Sequence, residues 1–283
     1  MVYLNNELLS VPVEIAQFGP SALNEVTPVW SIRTDLGKII FSGKFAKTNV
    51  PVGNGIALGV IKQPLAAVSK PSKLTLTVEV AGHQNSWDIF VYPAVLPVTD
   101  DQILVTRSLD QKAIETLNNG GKVLLTLKKG TLRDDKGGNI AIGFSSIFWN
   151  TAWTHMQPPV TMGILCDPKN PALKEFPTQG YSNWQWWDAM SHSNAIMLDS
   201  VAPNFHPIVR VIDDWFTARS LGLVFECKVG KGRLVVSGID LLDDAGARPE
   251  ARQLLYSLKR YMRTAAFSPV TNVELQKISS LCK

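Results

Sequence analysis

Hydrophobic and polar residues alternate with period two through much of the first hundred positions. Lys73-Leu74-Thr75-Leu76-Thr77-Val78-Glu79-Val80 is the cleanest case, with Leu74, Leu76, Val78 and Val80 on one face. Val11-Pro12-Val13-Glu14-Ile15-Ala16 and Val29-Trp30-Ser31-Ile32-Arg33 follow the same rule. Asp35-Leu36-Gly37-Lys38 predicts a turn before Ile39-Ile40-Phe41. Gly82-His83-Gln84-Asn85-Ser86 predicts another before Trp87-Asp88-Ile89-Phe90-Val91-Tyr92. Short strands, turn signals and almost no helical period predict an antiparallel β-sandwich over residues 1–97.

The pattern changes after Tyr92-Pro93-Ala94-Val95-Leu96-Pro97, where two prolines stop a strand. Gln102-Ile103-Leu104-Val105-Thr106 is a short apolar strand. Asp110 to Asn118 has a helical period, with Ala113, Ile114 and Leu117 on one face. Ser108 or Asp110 can cap it, and Gly120-Gly121 ends it. Lys122-Val123-Leu124-Leu125-Thr126-Leu127 is the next strand. Strand, helix, strand is a βαβ unit, which predicts a parallel sheet over residues 98–283. Val160 to Leu165 and Ile208 to Ile212 read as strands, and Asn170 to Phe176 and Asn183 to Met190 as short helices. Leu221 to Val229 and Gly232 to Gly238 form a hairpin about Gly230-Lys231. Pro249 to Met262 is amphipathic, with Ala251, Leu254, Leu255, Leu258 and Tyr261 facing inward. The tail from Ser268 reads as a docking helix or a partly disordered end.

Composition narrows the class. Hydrophobic residues make up 45% and charged residues 18% of 283, the balance of a folded globular chain. The net charge of +4 is spread evenly, since residues 1–97 hold seven basic and six acidic groups. No basic face or run exists, so nucleic acid is not an expected partner. No apolar window is long enough to span a membrane, and the first ten residues lack the basic and apolar regions of a signal peptide. Cys166, Cys227 and Cys282 are odd in number and lack metal-site spacing. His83, His155, His192 and His206 are scattered. Neither a metal nor a cofactor is expected, and Gly137 to Gly143 is not a phosphate loop.

Three tryptophans fall within four residues in Asn183-Trp184-Gln185-Trp186-Trp187-Asp188. At helical spacing Trp184 and Trp187 share a face and Trp186 points elsewhere. Such a segment is either clamped between layers or presents an aromatic surface. With Trp149 upstream, and with Asp213 and Trp215 near a strand end, the pattern is compatible with carbohydrate. Tryptophan faces cover the apolar side of a sugar, and Asn183, Gln185 and Asp213 can bond its hydroxyls. Aromatic clusters are more often packing than ligand site, and the same residues serve as a plug at a seam between domains.

Nucleophilic chemistry is poorly supported. Cys166 follows a strand, but a nucleophile elbow needs small neighbours, and Leu165 and Asp167 flank it. Asp167 raises rather than lowers the thiol pKa. Asp213-Asp214, Asp240 and Asp243-Asp244 lie at strand ends, where carboxylate pairs can act, yet Asp is also the ordinary cap and turn residue. No catalytic residue is assigned.

Several segments together resemble the non-catalytic C-terminal region of glycoside hydrolase family 2, the β-galactosidase-like class of large bacterial proteins. They are Val29-Trp30-Ser31-Ile32, Phe41-Ser42-Gly43-Lys44-Phe45 and Asn85 to Pro93, then Gly143 to Thr151, Thr161 to Asp167 and Pro171 to Thr178. Trp184-Gln185-Trp186-Trp187 and Gly230 to Gly238 complete the set. The resemblance implies an immunoglobulin-like β-sandwich over 1–97 and a flavodoxin- or amidotransferase-like α/β domain over 98–283, lacking its cysteine elbow. In that family the catalytic glutamates sit on a TIM barrel, for which this chain has no room. The resemblance therefore implies an accessory region in carbohydrate degradation, partnered by the glycosidase's catalytic domain or subunit, from a periplasmic or cell-surface bacterial parent. The alternatives are a stand-alone carbohydrate-binding module and a small hydrolase using Cys166 or the strand-end aspartates. Oligomeric state and sugar stay open.

Overall fold

The computed structural model describes residues 1–98, 102–145, 156 and 159–283. Contacts divide the chain into two units, Met1–Leu96 and Pro97–Lys283.

The first unit is built from β1 (Val2–Leu4), β2 (Leu8–Gln17), β3 (Leu23–Val26), β4 (Val29–Thr34), β5 (Ile39–Lys44), β6 (Thr48–Val50), β7 (Gly53–Pro64), β8 (Ser72–Val80) and β9 (His83–Tyr92). One sheet runs in the order β1-β9-β8-β4-β5, and β2–β7 and β3–β6 form two ribbons. Alternation decides the faces. Leu74, Leu76, Val78 and Val80 of β8 are buried, as their spacing predicts. They meet Leu9 and Val13 of β2 and Ile61 of β7 in one core, so ribbon and sheet form the two layers of a sandwich. The other face of the sheet is polar, with Lys73 Nζ 2.9 Å from Asp88 Oδ1 and Thr77 Oγ1 2.8 Å from Ser86 Oγ. The turn after β8 is shorter than the polar run suggests. Ala81 and Gly82 both take positive φ, 49° and 80°, and Val80 pairs with His83 across a two-residue loop.

The second unit contains β10 (Ile103–Thr106), α1 (Gln111–Asn118), β11 (Lys122–Thr126), β12 (Ile164–Cys166), α2 (Trp184–Ser191), β13 (Ile196–Met197), β14 (Val209–Val211), β15 (Leu221–Val229), β16 (Gly232–Ser237), α3 (Pro249–Met262) and α4 (Leu275–Ser279). The sheet order is β10-β11-β16-β15-β14-β12, with β13 on β15. β10, β11 and β16 are parallel, but β15, β14 and β12 continue the sheet antiparallel. The expected parallel sheet is thus realised over one half only. The cause is the Gly230-Lys231 loop, because so short a link can join only antiparallel neighbours. The expected helix at Asn170 to Phe176 is a single 3-10 turn over Pro171–Leu173, and the strand at Val160 to Leu165 contracts to β12.

One core lies under α1, where Ala113 and Leu117 pack with Leu125, Phe225, Leu234 and Ile278 of α4. At Gly232 an added Cβ would sit 2.6 Å from Leu117 Cα, so only glycine lets α1 lie this close to the sheet. α3 buries Ala251, Leu254, Leu258 and Tyr261, while Leu255 is half-buried. Its Ser257 Oγ donates to Ala172 O at 2.7 Å and ties the helix to the 3-10 turn. The fold is therefore mixed and sheet-rich, with a β-sandwich element and few helices. Among the described residues no helix is long and apolar enough to cross a membrane.

Candidate functional site

Asn183 is the N-cap of α2, in the extended conformation that starts a helix. Once the helix forms, its period separates the three tryptophans. Trp186 is 0% exposed, donates from Nε1 to Thr178 Oγ1 at 2.8 Å, and meets Phe176 edge-on at 5.3 Å. Gln185 is also buried and donates to Pro177 O at 2.8 Å. Both belong to the packing of the helix and neither offers a surface to a ligand. Trp184 and Trp187 stand on the opposite side, 62% and 53% exposed.

Their ring centroids are 6.1 Å apart at 62°. Phe144 completes the group, stacked on Trp184 at 5.8 Å and edge-on to Trp187 at 5.4 Å. Ser182 Oγ donates to Phe144 O and holds that backbone against the start of α2. Next to it Tyr181 is exposed and bridges Leu165 of β12, itself half exposed. Asn183 Nδ2 donates to Gln179 Oε1 at 3.2 Å and its Oδ1 is buried, so this amide belongs to the packing at the start of α2. The arrangement presents π faces flanked by a phenol, and among the described residues it carries no acid–base pair.

The other expected contact residues are not assembled here. Trp149 lies outside the described residues. Trp215 is half exposed and lines a separate cavity of about 450 Å³ with Leu165, Arg210 and Ile212. Asp213 belongs to the wall of that cavity, but its carboxylate is consumed. Arg219 reaches it through Nε at 2.8 Å, Nη2 at 2.9 Å and its backbone N–H at 2.7 Å. Burial pushes the Asp213 carboxyl up, and these bonds outweigh it and hold the group below the ordinary range. Asp214 accepts from the backbone N–H groups of Phe216 and Thr217, as a turn cap does.

Cys166 is equally unsuited to attack. Burial, with Asp167 beside it, raises its thiol to about 11, and Sγ donates to Gln179 O at 3.3 Å.

A network that sequence reasoning missed lies at the carboxyl ends of the parallel strands β10, β11 and β16. Arg107 Nη2 is 3.3 Å from Asp240 Oδ1. Arg248 Nε lies 2.9 Å from both Asp188 oxygens, and its Nη1 donates to Asp240 O at 2.8 Å. His192 Nδ1 lies 3.2 Å from Asp188 Oδ1. Asp188 follows the tryptophans by one residue, so the network and the aromatic group share α2. Strand ends are where α/β sheets hold ligands, but each carboxylate here faces a cation of the chain itself. The pairs join residues 133 and 60 positions apart, a separation no local pattern reveals.

Residues 104–283 match the family of a domain of unknown function, DUF8487. Residues 7–93 match a second domain of unknown function, DUF8488. No curated protein matches the chain. Among solved structures, the crystal structure of Parabacteroides merdae β-glucuronidase is weakly similar, at 12% identity and a TM-score of 0.22. The similarity covers 44% of this chain and 19% of the glucuronidase.

Proposed function

We propose a function for a chain that belongs to the family of the domain of unknown function DUF8487: a non-catalytic accessory region of a family 2 type glycoside hydrolase, which offers an aromatic platform to carbohydrate. The observation that carries the platform is the division of the tryptophans. Two exposed rings, with Phe144 against them, cost solvation and gain nothing by packing inward, which is the economy of a binding face. The glycosidase assignment rests on the sequence segments that resemble that family. Two further features favour an accessory role. The strand-end thiol is protonated at neutral pH, and the candidate carboxylates are tied to Arg219, Arg107 and Arg248. In this reading residues 1–97 are an immunoglobulin-like sandwich, residues 98–283 an amidotransferase-like domain, and the partner is the catalytic domain of the glycosidase.

The test is titration of the full chain with a panel of oligosaccharides, followed by tryptophan fluorescence. Trp184→Ala and Trp187→Ala should each weaken binding about tenfold while costing no more than about 0.5 kcal/mol of stability. A panel with no responding glycan overturns the platform. Turnover of an aryl glycoside by this chain, abolished by a single carboxylate substitution, overturns the accessory role.

A further inference from the structure

The sheet of the second unit makes a basic row that the sequence does not show. At the amino ends of β11 and β16, register places Lys122 opposite Arg233, and Arg233 opposite Lys228 of β15. Paired residues on adjacent strands point to one face, so three cations stand side by side, about 5 Å apart at Cβ. Like charges in this position destabilise a sheet. Two residues further along the same face, Leu124 and Val235 are fully buried. The row itself lies at the margin, with Lys122 and Arg233 half-buried and Lys228 exposed. Asn272 bridges Lys228 and extends the row with an amide.

Part of this donor capacity serves the fold. Lys122 Nζ donates to Met262 O, in the last turn of α3, at 2.7 Å. Arg233 Nη1 donates to Phe267 O at 2.9 Å, and its guanidinium lies over the Phe267 ring. Each bond leaves further N–H donors of these groups unused. Arg263, the residue after Met262, is exposed and adds a fourth cation. Burial, with Arg233 and Arg263 nearby, holds the Lys122 ammonium below its ordinary range. None of the four has an ion pair among the described residues. Glu226, two residues before Lys228 on the same face, accepts instead from Tyr261 Oη at 2.6 Å.

We propose that this corner binds an oxyanion, a phosphate or sulfate group, held by Lys228, Arg233 and Arg263 with Lys122 adding its charge behind them. Arg233 keeps Nε and Nη2 for the ligand, the fork that suits a tetrahedral oxyanion. The anion removes the repulsion that the bare row carries, so the charges that weaken the free sheet supply the affinity. The site is independent of the aromatic group and of the carbohydrate reading, and it lies at the opposite strand ends from the Asp240 network.

The probes are sodium phosphate and a sulfated hexasaccharide, each titrated into the isotope-labelled full chain at an ionic strength fixed with chloride. The amide signals of Lys122, Lys228 and Arg233 should shift together and saturate. Tighter binding of the hexasaccharide would identify a polymer's sulfate groups as the source of the anion, and tighter binding of phosphate a free ion. Lys228→Gln and Arg263→Gln, both at exposed positions, should each weaken binding about tenfold. Lys228→Gln should also unfold at an equal or slightly higher urea concentration in low salt, because it removes one of the facing charges. Its loss of binding therefore cannot come from a damaged fold. Lys62→Gln, in the first unit, should leave binding unchanged. The proposal is overturned if neither probe shifts the row, or if chloride alone shifts the same signals. It is overturned equally if Lys62→Gln weakens binding as much as Lys228→Gln, which would reduce the effect to net charge.

Discussion

Trp184 and Trp186 are two positions apart and meet opposite demands. Trp186 fills a closed space beside Phe176, and Trp184 leaves most of its ring in water. Trp186→Ala should cost about 3–5 kcal/mol in urea denaturation, and Trp184→Ala only about 0.5 kcal/mol. Equal losses would mean that both rings are packing elements. This split is legible in the sequence, since helical spacing alone puts Trp184 and Trp187 on one side. Phe144 was not legible as their neighbour, because nothing local links positions 144 and 184. Asp213 shows the converse, an acid that looks available by composition and is spent on Arg219 by geometry. Its folded pKa lies below the unfolded one, so its stabilisation is present above the unfolded value near about 4 and is lost as pH falls through the folded value. Asp213→Asn should therefore cost about 2–3 kcal/mol at neutral pH, somewhat below the fully buried range because Arg219 is partly exposed. The gap from the wild type should shrink on acidification below about pH 4. Urea midpoints measured against pH check both the size and the slope.

At the scale of elements, α1 and β8 follow their sequences closely, because each is set by a local rule. Asp110 caps α1 by accepting the Ala113 N–H at 2.8 Å. Asp110→Ala should lower stability by about 1 kcal/mol, seen as a lower urea midpoint with an unchanged slope. No change would mean that another group satisfies that N–H. The stretch from His83 to Ser86 is strand rather than the turn its polarity predicts, for a physical reason. β1 covers only Phe90 to Tyr92 of β9, so the earlier half of β9 lies at an open edge, where exposed polar residues are tolerated. The antiparallel half of the second sheet was contained in the Gly230-Lys231 hairpin. The βαβ pattern at the start of the unit holds only for the parallel strands β10, β11 and β16.

For the whole molecule, contact density divides the chain at Leu96 and Pro97. Each unit has its own buried cluster, drawn from β2, β4, β7, β8 and β9 in one case and from α1, β11, β15 and β16 in the other. Residues 1–96 and 97–283, expressed separately, should each give the dispersed amide spectrum of a folded protein. An undispersed spectrum from residues 1–96 would show that its sandwich needs the rest of the chain. Charge gave no hint of a site at this scale, and the strand-end network stayed hidden because it joins residues distant in sequence.

The central pairing of the second sheet has a cost in time. Leu124 of β11 is in register with Val235 of β16, and Thr126 Oγ1 donates to Ile239 O, 113 positions later. Contacts of such long separation form slowly, because a long loop must close before they repay it. A ribosome adding about 5–20 residues per second takes roughly 6–20 s to supply the missing strand. Through that interval Val123-Leu124-Leu125 emerges without the neighbour that will cover it, a ready target for chaperones and for misassociation. Soluble yield should therefore respond to the pace of translation more than to small gains in native stability.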